Sequence, residues 1–349
     1  MAYDPLPRGP FPVGVRTVTL SDADRGGRSL PTEIWYPATA ANAGRDSDPK
    51  TRDSYELMPG AAMWQLAARD VDAREGAFPI VAFSHGFGAH RRQSTFLCTH
   101  LASHGYVVVA PDHTGNTVQE MLAAAMASAS NAPRESPVAL DDLLRDRPID
   151  IRFVVDYVAR EIPSARAERI AVAGHSFGGW TTLAVVSRDE RVCAALPLAP
   201  AGGASSVTDV TALQAELDFE HGREVPTLFI VAQLDSILPL DSMHVLFDAV
   251  RSWKRMVVIN NADHLHFCDA VERVHELFRM LPRVEGIPGG KPFPPIAELC
   301  PGEHGYVTIK SLGLAHLDAH VKGIQAATSW LDGAWRDVLT EHGVDYDVH

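Results

Sequence analysis

Eight short apolar runs, most of them rich in β-branched residues and bounded by Gly, Pro or Asp, recur along this chain with helical patterns between them. They are Val13–Leu20, Pro31–Trp35, Pro79–Phe83, Tyr106–Ala110, Arg169–Ala173, Cys193–Leu198, Thr227–Val231 and Met256–Ile259. A run that is apolar at nearly every position suits a strand covered on both faces, as in a mainly parallel sheet. Strands alternating with helices in this order predict one doubly wound α/β domain over residues 1–349, with about eight strands and helices on both faces of the sheet.

The clearest helix is predicted over Pro148–Ile162. Proline suits a first helical position, Asp150 falls in the first turn, and Pro163 ends the segment. Ile151, Val154, Val155, Val158, Ala159 and Ile162 form its apolar stripe. A last helix is expected over Leu314–Leu339. Three stretches break the alternation and read as insertions at the edge or top of the sheet: 38–76, with polar clusters and one short helix; 114–146, with MLAAAMASAS; and 282–305, with six prolines.

Composition narrows the function classes. Apolar content of 46% and charged content of 21% are ordinary for a globular protein. The 31 basic against 44 acidic side chains leave a net charge of −13. That argues against nucleic acid as a partner and against polybasic attachment to anionic lipid. No stretch is long enough to span a bilayer, and the first fifteen residues lack the basic-then-apolar pattern of a secretory leader. Cys98, Cys193, Cys268 and Cys300 show no CxxC spacing and read as free thiols. The expectation is a cytoplasmic protein with no integral membrane segment.

The motif that carries chemistry is Gly174-His175-Ser176-Phe177-Gly178, which fits G-x-S-x-G between a predicted strand and a helix over Phe177–Ser187. Side chains at 174 and 178 would collide with neighbouring backbone in so tight a turn. The serine hydroxyl then projects above the sheet at a helix N-terminus. A serine needs a base, and the base needs an orienting acid. Asp235 lies just past the strand Thr227–Val231, and His264 just past Met256–Ile259. The order Ser176, Asp235, His264 is the one this motif requires. Asp241 is better placed than Asp235 to cap the following helix. His264 is preferred to its rival His266, and Asp263 is a neighbouring carboxylate. No third ligand stands at readable spacing to make His264 and His266 a metal pair.

An oxyanion hole needs two convergent N–H groups. Phe177, directly after the serine, supplies one. Phe87, in the loop Ser84-His85-Gly86-Phe87-Gly88 after the early strand Pro79–Phe83, supplies the other. His85, Trp180, Met121, Leu122 and Met126 are candidates for lining the substrate site, with 114–146 as the lid candidate. The other histidines singled out (His90, His100, His104 and His316) read as structural or solvated.

The stretch PIVAFSHGFGAHRRQSTFLCTHLASHGYVVVAPDH, with GHSFGG and NADHLHFCD, resembles the platelet-activating-factor acetylhydrolase and dienelactone-hydrolase-like branch of the α/β-hydrolases. VPTLFIVAQLDSILPL, with Ala262-Asp263-His264, also resembles the bacterial cutinases and polyesterases. The likeness covers roughly residues 11–275. It implies the α/β-hydrolase fold and a serine carboxylic-ester hydrolase that needs no cofactor. Ser176 is then the nucleophile, His264 the base, and Phe87 and Phe177 the oxyanion donors.

Two departures qualify the inheritance. The animal acetylhydrolases carry their acid at the position occupied here by Ala199, so the acid falls to Asp235 as in the cutinase-like pattern. Dienelactone hydrolase uses a cysteine nucleophile, so its lactone specificity does not carry over. Short-chain acyl esters, phospholipid acyl groups and polyesters all stay open as partners. An amidase, thioesterase or C–C bond hydrolase on the same triad, and a non-catalytic binding module, are the alternatives.

Overall fold

The computed structural model describes residues 3–56, 62–129, 138–204, 211–280 and 292–349. Its strands are β1 (Val13–Asp22), β2 (Arg28–Pro37), β3 (Ser54–Glu56), β4 (Ala62–Trp64), β5 (Ala68–Arg69), β6 (Phe78–Ser84), β7 (Val107–Pro111), β8 (Ala165–His175), β9 (Val192–Leu198), β10 (Thr227–Ala232), β11 (Lys254–Ile259) and β12 (Tyr346–Val348). Its helices are α1 (Thr95–Ser103), α2 (Val118–Ala129), α3 (Leu140–Glu161), α4 (Phe177–Arg188), α5 (Thr211–Ala215), α6 (Leu240–Ala249), α7 (Val271–Met280), α8 (Gly302–His320), α9 (Gln325–Asp332) and α10 (Trp335–Glu341). All eight expected strands form.

Ten strands make one sheet in the order β12-β11-β10-β9-β8-β6-β7-β2-β1-β5. From β7 through β11 every neighbouring pair is parallel, while β1, β2 and β12 add antiparallel margins. The chain runs from β6 outward to β7, returns to β8, and then proceeds the other way through β9, β10 and β11. The direction of winding therefore reverses between β6 and β8, and ligands of open α/β sheets collect at the carboxyl end of such a switch point.

Burial on both faces follows from the alternation along each strand. Val81, Phe83, Val108, Ala110, Ala171 and Ala173 face a core shared with α1, α6, α8, α9 and α10. Their neighbours Ile80, Ala82, Val107, Val109, Ile170 and Val172 face a second core built on Ile151, Val154, Val155 and Val158 of α3. These period-2 partitions explain why the strands are apolar at nearly every position.

Two helices differ from expectation. The helix expected to begin at Pro148 begins at Leu140, so Pro148 lies inside α3. Leu143 and Leu144 are buried against Phe177 and Trp180, and Asp141 and Asp142 occupy the first turn that Asp150 was expected to fill. Asp150 is instead wholly buried in mid-helix, where it accepts hydrogen bonds from Arg25 and Arg28 and pairs with His113. At the C-terminus, the single helix expected over Leu314–Leu339 is three. Gly323, at φ 70°, separates α8 from α9, and Gly333 separates α9 from α10.

The 38–76 stretch contributes β3, β4 and the edge strand β5, with one 3-10 turn at Ala40–Asn42. Much of 282–305 lies outside the described residues, and the remainder holds a 3-10 turn at Ile296–Glu298 and the start of α8. All four cysteines are free. No helix among the described residues is long and apolar enough to cross a membrane.

Candidate active site

Ser176 stands between the end of β8 and the first residue of α4, with φ 59° and ψ −118°. Such a backbone is costly for a residue with a Cβ and persists only where its surroundings over-determine it. Here they do. Its N–H donates to Leu198 O at 2.9 Å, and its carbonyl accepts from Ala201 N at 3.0 Å and Trp180 N at 3.1 Å. The glycines beside it leave no room for side chains. A Cβ on Gly178 would stand 1.9 Å from Ser84 O, one on Gly174 2.3 Å from Gly178 O, and one on Gly179 2.7 Å from the Pro200 Cα.

Asp235 and His264 emerge from the carboxyl ends of β10 and β11 and meet. The His264 Nδ1–H donates to Asp235 Oδ2 at 2.7 Å, with both side chains almost wholly buried. The other oxygen, Oδ1, accepts the N–H groups of Ile237 at 2.9 Å and Leu238 at 2.6 Å. One carboxylate thus folds its own loop and fixes the imidazole tautomer, leaving Nε2 as the free lone pair.

His264 reaches the serine turn through its backbone, because its carbonyl accepts from His175 Nε2 at 3.0 Å and the two rings lie 4.5 Å apart. No hydrogen bond joins Ser176 Oγ to His264 Nε2 among the described residues. Catalytic bonds of this kind commonly tighten only with substrate bound.

The neighbours of this pair have other duties. His266 is committed at Nδ1 to the backbone of Asp263 and at Nε2 to Cys300 O at 2.9 Å. Asp263 is fully buried, and its carboxylate takes Ser236 N at 2.6 Å, Ser236 Oγ at 2.7 Å and His264 N at 2.6 Å. It fastens the loop after β10 to the loop after β11. Sequence reading noted Asp263 only as a nearby carboxylate.

The loop after β6 approaches the same turn. A Cβ on Gly86 would stand 3.4 Å from Ser176 Cβ. Phe177 is the first residue of α4, so its N–H is one of those a helix leaves without an internal acceptor. The rings of Phe87 and Phe177 lie 6.2 Å apart, Phe177 buried and Phe87 half exposed.

Beneath this loop is a fully buried guanidinium that sequence reading missed. Arg147 donates to His85 O, to Ser84 Oγ at 3.1 Å, to Asn116 Oδ1 at 2.7 Å and to Thr181 Oγ1 at 3.0 Å, and lies 4.5 Å over the Phe177 ring. Burial pushes it down to about 9, so it remains a cation at neutral pH. Ser84 Oγ also meets His113 Nε2, whose Nδ1 bonds Asp150. Burial and the Arg147 charge push His113 down to about 3, which keeps it neutral. Burial alone would raise Asp150, but the hydrogen bonds from His113 and Arg28, with the Arg28 charge, outweigh it and hold its carboxyl below the usual range.

Two residues expected to line the pocket do not. His85 is wholly buried, its Nδ1 at 2.7 Å from Gly86 O and its Nε2 accepting from His113 N at 3.0 Å. Trp180 is wholly buried as well; its Nε1–H donates to Leu213 O at 2.8 Å and its ring supports Phe177 from below. Both side chains are occupied inside the fold.

Met121, Leu122 and Met126, by contrast, are exposed on α2. The first turn of that helix is tied to the loop after β6. Val118 N donates to Ala89 O at 2.9 Å, Thr117 bridges Ala89, and a Cβ on Gly88 would stand 3.2 Å from Met121 Cγ. Glu120 caps the turn by accepting from Gly115 N, Thr117 N and Thr117 Oγ1.

A family model described as PET hydrolase-like matches residues 70–278, a span that holds all three triad candidates and both oxyanion candidates. The chain belongs to the PET hydrolase-like family. Members of the wider group to which it is similar include Cutinase est1 of Thermobifida alba, 32% identical over 190 residues that make up 54% of this chain and 53% of the relative. Platelet-activating factor acetylhydrolase of Canis lupus familiaris is 30% identical over 149 residues, 33% of each chain. The chain spans about half the length of the curated cutinase relatives it matches. A solved structure of a ferulic acid esterase from Streptomyces cinnamoneus superposes with a TM-score of 0.64 over 91% of this chain and 92% of that one, at 24% identity, and shares the fold. The cutinase and acetylhydrolase resemblances read from the motifs are thus both found, within the α/β-hydrolase fold.

Proposed function

We propose that this PET hydrolase-like chain is a serine carboxylic-ester hydrolase acting through an acyl-enzyme. The observation that carries the reading is the buried Asp235–His264 hydrogen bond of 2.7 Å, held beside a serine at φ 59°. In the proposed cycle Ser176 Oγ attacks the ester carbonyl carbon while His264 Nε2 takes its proton. Asp235 holds the tautomer and stabilises the imidazolium. The N–H groups of Phe87 and Phe177 receive the oxyanion, with the Arg147 cation beneath the loop favouring the same charge. As the tetrahedral species collapses, the carbon–oxygen bond breaks and His264 returns the proton to the leaving alcohol. Water then repeats the route, with His264 as base, and frees the acid.

Exposed Phe87 in the oxyanion loop and exposed Met121 packed against its Gly88 favour an apolar acyl group or an apolar polymer surface over a charged one. The relatives' names, cutinase and platelet-activating factor acetylhydrolase, support ester substrates of this kind. The test is a panel of initial rates: p-nitrophenyl acetate, butyrate and octanoate beside the matching anilide and thioester. The expected result is turnover of the oxygen esters with kcat/KM at least about tenfold above the anilide, since no feature of the site singles out an amine leaving group. Preferred turnover of the anilide or thioester would reassign the bond type while keeping the triad.

A further inference from the structure

Gln93 lies in the turn ahead of α1, and its buried amide is bonded at both ends. Its Oε1 accepts the Gly86 N–H at 2.7 Å, and its Nε2 donates to His175 Nδ1. The ring of His175 continues the line, since its Nε2–H donates to the His264 carbonyl at 3.0 Å. The direction of every bond is determined. A carbonyl only accepts, so His175 carries its proton on Nε2 and offers a lone pair at Nδ1. Only the NH₂ end of the amide can satisfy that lone pair, which leaves Oε1 for the Gly86 N–H. Reversing the amide would break two bonds at once. His175 is further held by stacking on Phe267, with ring centroids 5.4 Å apart. Burial keeps His175 neutral, as this arrangement requires. The segment bearing Gln93 is itself tied down, because its carbonyl accepts Asp269 N at 2.8 Å.

Each partner in this line adjoins a different piece of the site. Gly86 precedes Phe87, His175 precedes Ser176, and His264 is the base. We infer that Gln93 is a positioning residue that sets the oxyanion loop, the serine turn and the base loop in register through one hydrogen-bonded line. The inference rests on the serine-hydrolase reading above. Gln93 touches neither substrate nor reacting atoms in this role; it acts through the three loops it joins.

Two variants test it. Gln93→Met keeps the approximate volume and removes both bonds. Gln93→Glu reproduces the pattern only while its carboxyl is protonated, with a C=O facing Gly86 N–H and an O–H facing His175 Nδ1; once ionised it has no donor. Values of kcat and KM on p-nitrophenyl butyrate are measured across the neutral pH range beside wild type and Ser176→Ala, together with melting temperatures.

The expected result for Gln93→Met is a fall in kcat of about 10- to 100-fold with KM nearly unchanged, the scale that sub-ångström to ångström misplacement of reacting groups produces. For Gln93→Glu the kcat ratio to wild type falls as pH rises. His175, His264, Cys268, Asp269 and the adjacent Arg91 and Arg92 are the other titratable groups around this amide, and they are common to both proteins in that ratio.

Unchanged kcat in folded Gln93→Met, a loss confined to KM, or a Gln93→Glu ratio independent of pH would overturn the inference. Should Gln93→Met not fold, the Gln93→Glu profile decides alone. If wild type and Ser176→Ala are equally inactive, the hydrolase reading fails separately. The line is then read from the ¹⁵N resonance of His175 Nδ1, which moves in the Gln93 variants if the bond exists and stays put if it does not.

Discussion

Ser176→Ala is expected to lower kcat on p-nitrophenyl acetate by about 10⁴- to 10⁶-fold while leaving the fold intact. In the proposed cycle the hydroxyl supplies the attacking oxygen, and nothing nearby replaces it: Ser84 Oγ is committed to His113 and Arg147 below the loop, and Ser236 Oγ to Asp263. The strained backbone at φ 59° is held by Leu198 O, Ala201 N and Trp180 N, all through main-chain atoms that alanine retains. The melting temperature should therefore stay within a few degrees of wild type. Residual rate above the uncatalysed reaction is expected from the oxyanion N–H groups and the pocket. A folded Ser176→Ala protein that hydrolyses the ester at the wild-type rate would remove the serine from the mechanism.

Asp235→Asn is expected to cost about 10⁴-fold in kcat with little change in KM. The substitution is nearly isosteric, and an amide oxygen can still accept from Ile237 N and Leu238 N, so the loop should keep its shape. The amide then presents its NH₂ to His264 Nδ1. That group donates where the wild-type carboxylate accepts, so the imidazole shifts its proton to Nε2, the nitrogen that must act as base. Asp263, the nearest other carboxylate along the chain, is already occupied by Ser236 N, Ser236 Oγ and His264 N. Rate loss at the level of a surface carboxylate change, well under tenfold, would show that Asp235 only shapes its loop. Comparing kcat with the melting curve separates the two roles.

Much of this arrangement was legible in the residues. The eight strands could be read because strands buried on both faces are apolar without interruption, and their ends are marked by turn residues. The carboxyl ends of those strands then located Ser176, Asp235 and His264, since the site residues follow the strands at short distances. Local pattern failed where long-range packing decided. Pro148 carried a start signal that the burial of Leu143 and Leu144 overrode, so α3 runs through it. The C-terminal stripe suggested one helix although Gly323 and Gly333 divide it. His85 and Trp180 were expected to line the substrate site, but both are buried inside the fold. The partners of Gln93 and Arg147 could not be read at all: Gln93 meets His175 82 positions along the chain, and Arg147 meets Ser84 63 positions back. No spacing rule relates such residues, and only the closure of the sheet brings them together.

Whether Ser176 is an activated nucleophile is tested most directly by covalent capture with a p-nitrophenyl alkylphosphonate ester. Release of one equivalent of p-nitrophenol is expected, with loss of esterase activity in step with it and a phosphonyl adduct, absent in Ser176→Ala, found by mass spectrometry on the peptide containing Gly174-His175-Ser176-Phe177-Gly178. Inactivation with the adduct on another residue, or no adduct at all on a folded and ester-hydrolysing protein, would contradict that role.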